Sequence, residues 1–221
     1  MGLDFILNEL QALKDHALMR EYRTIESAQG PYVQINGKSY LSFCSNNYLG
    51  LADHPKIKQA AIAAINQYGW GTGASRLVAG NMILHQELEK KIAEFKSTEA
   101  ALLFSTGYMA NVGAVCALVG REDIIIGDKL NHASIIDGCR QSGATFRVYP
   151  HNNVNQLESL LQKSSKYRRR MVVTDSVFSM DGDTALLPDI VEVSKKYDAI
   201  IMIDDAHATG VFGQHGKGMI E

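Results

Sequence analysis

From residue 100 to residue 204 the chain repeats one unit: a short unbroken apolar run, then a stretch of helical periodicity. The runs are "AALLF", "DIIIG", "TFRVY", "MVVTDS" and "AIIMID". They are continuous rather than alternating, which is the mark of strands covered on both faces. A repeated β-α unit predicts a mainly parallel sheet with right-handed crossovers, an α/β fold. In such a sheet ligands bind beyond the carboxyl ends of the strands. The residues to read are therefore Ser105 to Tyr108, Asp128 to His132, Ser176 to Asp183 and Asp204 to His207, where polar side chains and glycines collect.

The first hundred residues have another texture. "MGLDFILNELQALKDHALMREY" reads as an amphipathic helix, and acids from Asp4 onward argue against a secretory signal. "YVQINGKSYLSFC" alternates around Asn36-Gly37, the chemistry of a tight hairpin. "HPKIKQAAIAAINQYG" and "NMILHQELEKKIAEFKS" carry helical spacing, the first with Pro55 at its start and Gly69 at its end. Between them "GWGTGA" mimics a dinucleotide fingerprint, but it follows a helix instead of a strand. A glycine loop that lets backbone approach a ligand or a neighbouring subunit is the better reading.

Charge narrows the partners. With 24 acids against 22 Lys and Arg, the formal net charge is −2, which argues against a nucleic-acid binder. The one basic run, Arg168 to Arg170, is expected in a solvated loop. Cys44, Cys116 and Cys139 are widely spaced and form no C-x-x-C, so reduced thiols in a cytoplasmic protein are expected. Gly2 lacks the Ser or Thr that myristoylation requires, since Ile6 stands there. No apolar run approaches the ~18 residues of a membrane span.

"IDDAH" ends the last apolar run, and three chemistries use such a cluster. A nucleotide triphosphate site needs a phosphate loop upstream; the one candidate, "GPYVQINGKS", has six residues between Gly30 and Gly37 where four are required. A metal could draw on Asp128, His132, Asp204 and His207, but no H-x-x-x-H or H-E-x-x-H pair anchors it. Pyridoxal 5'-phosphate (PLP) accounts for more residues. "STGYMANVGAV" follows an apolar run and opens a helix, whose free N–H groups and dipole suit a phosphate. Asp204 can hold the proton of a pyridine nitrogen, His207 can reach the ring oxygen, and His132 can stack on the ring face.

"FCSNNYLGLADHP", "GTGASRLVAGN", "STGYMANVGA", "DKLNHASIIDG", "VFSMDGD" and "IDDAHATGVFG" together resemble the α-oxoamine synthases, fold-type I PLP enzymes. The motifs span residues 40 to 213 in the family's order. The resemblance implies a large domain with a mainly parallel sheet and helices on both faces. It also implies an N-terminal helix and hairpin over 1–45 and part of the PLP-binding domain over 46–221. The implied reaction is decarboxylative condensation of an amino acid, L-alanine or less readily glycine, with an acyl-CoA or acyl-carrier-protein thioester. The implied assembly is a homodimer.

Carried over by residue, the resemblance makes His132 and Asp204 catalytic. Cofactor contacts fall to Gly107, Tyr108, His132, Ser179, Asp204 and His207, and substrate contacts to Arg20 and Asn46, with Arg23 competing for the role of Arg20. Asp205 is then expected to serve structure. The family's cofactor-bonding lysine lies downstream of "IDDAHATGVFG", and Lys217 falls in a turn rather than in that motif. The chain is accordingly expected to be a fragment, inactive alone. A natural truncation and a lysine-less binding subunit are the alternatives.

Overall fold

The computed structural model describes residues 2–221, in two compact units that divide between Gly69 and Trp70. In the first unit, helix α1 spans Asp4–Asp15 and stops before the expected end at residue 22. Ala17 takes a left-handed φ of 55°, and the N–H groups of Leu18 and Met19 turn back onto the carbonyl of Leu13 at 2.8 and 3.2 Å. Strands β1 (Tyr32–Ile35) and β2 (Lys38–Leu41) pair antiparallel. Asn36 and Gly37 take φ of 51° and 68°, as a two-residue hairpin turn demands. Helix α2 (Pro55–Tyr68) starts on the His54 cap and ends where Gly69 turns to φ 82°.

The second unit begins with a π-helical turn, Arg76–Gly80, and helix α3, Ile83–Lys96. The run 100–104 is not a strand, contrary to its apolar pattern. Leu103 has its backbone satisfied by side chains instead: its N–H donates to Glu89 at 2.8 Å and its carbonyl accepts from Arg76 at 3.3 Å. Arg76 and Glu89 pair at 2.6 Å, which, with the Leu103 N–H, holds the Glu89 carboxyl down at about 2. No ladder partner is required where both backbone groups are already bonded.

Thereafter strand and helix alternate as expected. Helix α4 spans Gly107–Leu118, β3 Ile124–Asp128, α5 Ala133–Gln141 and β4 Thr145–Tyr149. Helix α6 spans Val154–Gln162, β5 Arg170–Asp175, α7 Leu187–Lys196 and β6 Ala199–Asp204. The strands form one parallel sheet in the order β4-β3-β5-β6.

Side-chain alternation along the strands divides the core between the two faces of this sheet. Ile124, Ile126 and Val172 pack with Leu157 and Leu161 of α6 and Leu187 and Ile190 of α7. Ile125, Met171 and Val173 pack with Val115 and Val119 of α4 and Ile135 and Cys139 of α5. Burial pushes the Cys139 thiol up to about 12, which leaves it chemically inert.

At the amino end of the sheet, Arg168 and Arg169 lie exposed in the loop before β5, as expected, and both bind back onto the sheet. Arg168 grips the fully buried Asp123 through Nε and Nη2 at 2.9 and 2.8 Å. The N–H groups of Arg169 and Gly120 complete the carboxylate's shell. That guanidinium holds the Asp123 carboxyl at about 2. Arg170 opens β5 and is itself mostly buried.

Candidate functional site

The carboxyl end of the sheet is built differently. Asp175 and Asp204 end neighbouring strands in register, so two carboxylates sit side by side. Neither pairs with a Lys or Arg among the described residues. Asp175 accepts the His132 N–H at 2.7 Å, and Asp204 accepts the Ala206 N–H at 3.0 Å. Burial pushes the Asp175 carboxyl up to about 6, with the neighbouring charges of Asp204 and Asp128 adding to the rise.

Two helix N-termini meet this edge. Thr106 caps α4 by accepting the Met109 N–H at 3.1 Å. The N–H groups of Gly107 and Tyr108 have no acceptor among the described residues, so the first turn of α4 presents open donors at the positive end of its dipole. The Tyr108 hydroxyl donates to Asp137 of α5 at 3.0 Å, tying the start of α4 to α5 and pushing the phenol up. His132 caps α5 through its own side chain.

One hydrogen-bonded network joins these parts. Asn111, one turn into α4, reaches Asp204 and the Ser134 hydroxyl, each at 2.8 Å. Ser134 in turn lies 2.7 Å from His132 Nδ1. Asp204 and His132, from separate strand ends, thus fall into a single network with the start of α4. His207 is half-buried in the turn after β6, and Ser179 is exposed in the loop after β5. That loop is closed by the Gly182 N–H donating to Phe178 at 2.8 Å.

Asp205 faces another set of partners. It accepts from Lys96 at 2.9 Å, from the Ser176 hydroxyl at 2.7 Å and from the Met219 N–H at 3.2 Å, which makes it a fastening point for the C-terminal turns. Lys217 belongs to the same fastening, with Nζ on the Ser97 hydroxyl at 2.7 Å and its carbonyl accepting from Lys96.

Arg20 and Asn46 belong to the first unit. Arg20 is exposed beyond the end of α1 rather than on a helix face. Asn46 is exposed and accepts from the Tyr48 hydroxyl at 3.4 Å, while Asn47 holds the loop by accepting the Ala52 N–H at 3.1 Å.

Sequence reasoning missed Asn111, Ser134, Asp175 and His151. His151 bridges Asp128 and Asp183 at 3.0 and 2.7 Å, tying the Ser179 loop to the ends of β3 and β4. For Asn111 a signal existed: it is an amide in the otherwise apolar stretch "MANVGAV", one turn after the glycine that opens the helix.

Comparison with known proteins agrees with this architecture. Residues 38–219 match the family "Aminotransferase class I and II", and the chain belongs to it. It is 53% identical over 216 residues to the 8-amino-7-oxononanoate synthase of Geobacter sulfurreducens, covering 98% of this chain and 55% of that protein. It is 50% identical over 217 residues to 8-amino-7-oxononanoate synthase 1 of Bacillus subtilis, with the same two coverages. The serine palmitoyltransferase of S. paucimobilis, solved with a bound PLP–myriocin aldimine, superposes with a TM-score of 0.90 at 35% identity, over 99% of this chain and 56% of that one. The fold is therefore the large domain of a fold-type I PLP-dependent transferase, and the α-oxoamine synthase resemblance is borne out. The chain spans about 55% of the length of the curated relatives it matches.

Proposed function

We propose that this chain forms the PLP-holding part of an 8-amino-7-oxononanoate synthase, which condenses L-alanine with a pimeloyl thioester and releases carbon dioxide in biotin biosynthesis. The observation that carries the reading is Asp204: a strand-end carboxylate held by an amide and a backbone N–H, with no Lys or Arg partner among the described residues, in one network with an open helix N-terminus. A ligand with a protonated ring nitrogen and a phosphate matches that donor and acceptor set.

In this reading the N–H groups of Gly107 and Tyr108 take the phosphate. Asp204 keeps a proton on the ring nitrogen, His132 covers the ring face, and Ser179 and His207 serve the ring oxygen. Arg20 and Asn46 bind the substrate's carboxylate side. When bound, PLP supplies an electron sink for the carbanion formed at the α-carbon of the amino acid. In this reading these residues supply the cofactor-holding part of the enzyme, and the working assembly is a cytoplasmic homodimer.

Two readouts test this. Equilibrium dialysis should find PLP held by the protein and displaced by inorganic phosphate; absence of binding would remove the cofactor reading. Joined with the remaining portion of its relatives, the protein should convert L-alanine and pimeloyl-CoA, or the pimeloyl carrier-protein thioester, to 8-amino-7-oxononanoate, identified by mass. A product formed from glycine and not from L-alanine would move the reading to a glycine-using member of the family.

A further inference from the structure

We propose that Asn111 is the positioning residue of this site and that, through the Ser134 hydroxyl, it joins the Ser134 N–H in holding His132 in the tautomer whose proton lies on Nε2. The argument starts from the two ends of the network, where the direction of each hydrogen bond is forced. An ionised carboxylate can only accept, so the Asn111 group 2.8 Å from Asp204 Oδ2 must be its amide nitrogen, not its oxygen. The second N–H of that nitrogen then points to Ser134 Oγ, also at 2.8 Å. Having accepted from Asn111, the Ser134 hydroxyl has its own proton to give, and His132 Nδ1 lies 2.7 Å away.

At the other end, the backbone N–H of Ser134 can only donate, and it points to the same His132 Nδ1 at 3.2 Å. Two donors therefore converge on one ring nitrogen, which must be bare. In the neutral imidazole the proton is left on Nε2. The Asp175 carboxylate holds the His132 backbone N–H at 2.7 Å, so the residue is anchored at main chain and ring alike.

The network has a structural economy. Asn111 stands one turn after Gly107 on α4, so one rigid helix carries the open amides, the partner of Asp204 and, through Ser134, the orientation of His132. Asn111 is 7% exposed and Ser134 1%, so water does not compete for these bonds. The importance of the network for cofactor binding rests on the PLP reading above; the tautomer does not.

The test is long-range proton–nitrogen NMR of the histidine rings at about pH 8, where imidazole is neutral, with the His132 signal identified by its loss in His132→Gln. The wild-type protein should give the pattern of an Nε2–H ring. Ser134→Ala should keep the Nε2–H form, held by the Ser134 N–H, but shift the His132 Nδ1 resonance because one of its two donors is gone. Asn111→Ala should shift that resonance in the same sense by less, and should weaken PLP by roughly tenfold, the loss of one hydrogen bond to a charged group. An Nδ1–H pattern in the wild type overturns the proposal without need of any variant. So does an unmoved Nδ1 resonance in both variants. Failure of the wild-type protein to bind PLP would instead count against the functional reading, and the tautomer result would stand.

Discussion

The two ends of one sheet use the same side chain in opposite ways. Asp123, at the entrance to β3, is enclosed by a bidentate guanidinium and two backbone N–H groups, and its carboxyl is held at about 2. Asp175, at the exit of β5, is buried beside Asp204 with neutral donors only, and its carboxyl is pushed up to about 6. Compensated charge at the amino end fastens loops to the sheet. Uncompensated charge at the carboxyl end costs stability, and it becomes useful when a cationic group arrives. Where the protein leaves a charge unpaid is the better guide to function.

The largest effect that separates the ends is expected at Asp123. Asp123→Ala removes a buried acid and leaves the Arg168 guanidinium and the Gly120 and Arg169 N–H groups without their acceptor; it should cost about 3 kcal/mol in urea denaturation, while the PLP affinity of the folded protein stays unchanged. Equal loss of affinity would mean that the two ends are coupled and the contrast false.

A pH series sharpens the contrast through its sign. The unfolded carboxyl titrates near ~3.9. Asp123, depressed to about 2, contributes stability that is complete above the unfolded value and is lost as pH falls toward its folded value. Asp175, raised to about 6, binds its proton more tightly in the folded state, so its contribution falls as pH rises through the window between the two values. Asp175→Asn should flatten that second slope and add about 1 kcal/mol of stability at neutral pH, because the amide oxygen can still accept the His132 N–H. Unchanged slopes in calorimetric melts from about pH 3 to pH 7 would contradict the assignment.

The smallest effect lies at the amino end. Asp198 pairs with Arg170 at 3.7 Å but is fully exposed, so Asp198→Asn should leave the urea midpoint unchanged within the error of the measurement. A larger change would mean that ion pairing there matters beyond buried Asp123.

Much of this was written in local pattern. Unbroken apolar runs named β3 to β6, Asn36-Gly37 named the hairpin, and the strand-end rule located the cluster around Asp204. The run 100–104 misled because Arg76 and Glu89, far away in sequence, satisfy the Leu103 backbone. The arginine run marked its loop but not its partner, because Arg168 meets an acid 45 residues earlier. Asn111 reaches Asp204 across 93 residues, and His151 reaches Asp183 across 32. Local periodicity states which face a residue takes; it does not state who waits there. Asp204 and Asp205 make the point, since adjacent positions send one acid to Asn111 and the other to Lys96.

The most direct test is PLP affinity, by dialysis or fluorescence titration, in Asp204→Asn against the wild-type protein, with stability followed in parallel. The account predicts PLP binding weakened by at least roughly tenfold, the loss of an ion pair with a ring cation, at unchanged or slightly raised stability. Wild-type affinity in Asp204→Asn would contradict it, because the uncompensated carboxylate at the end of β6 would then have no ligand to answer to.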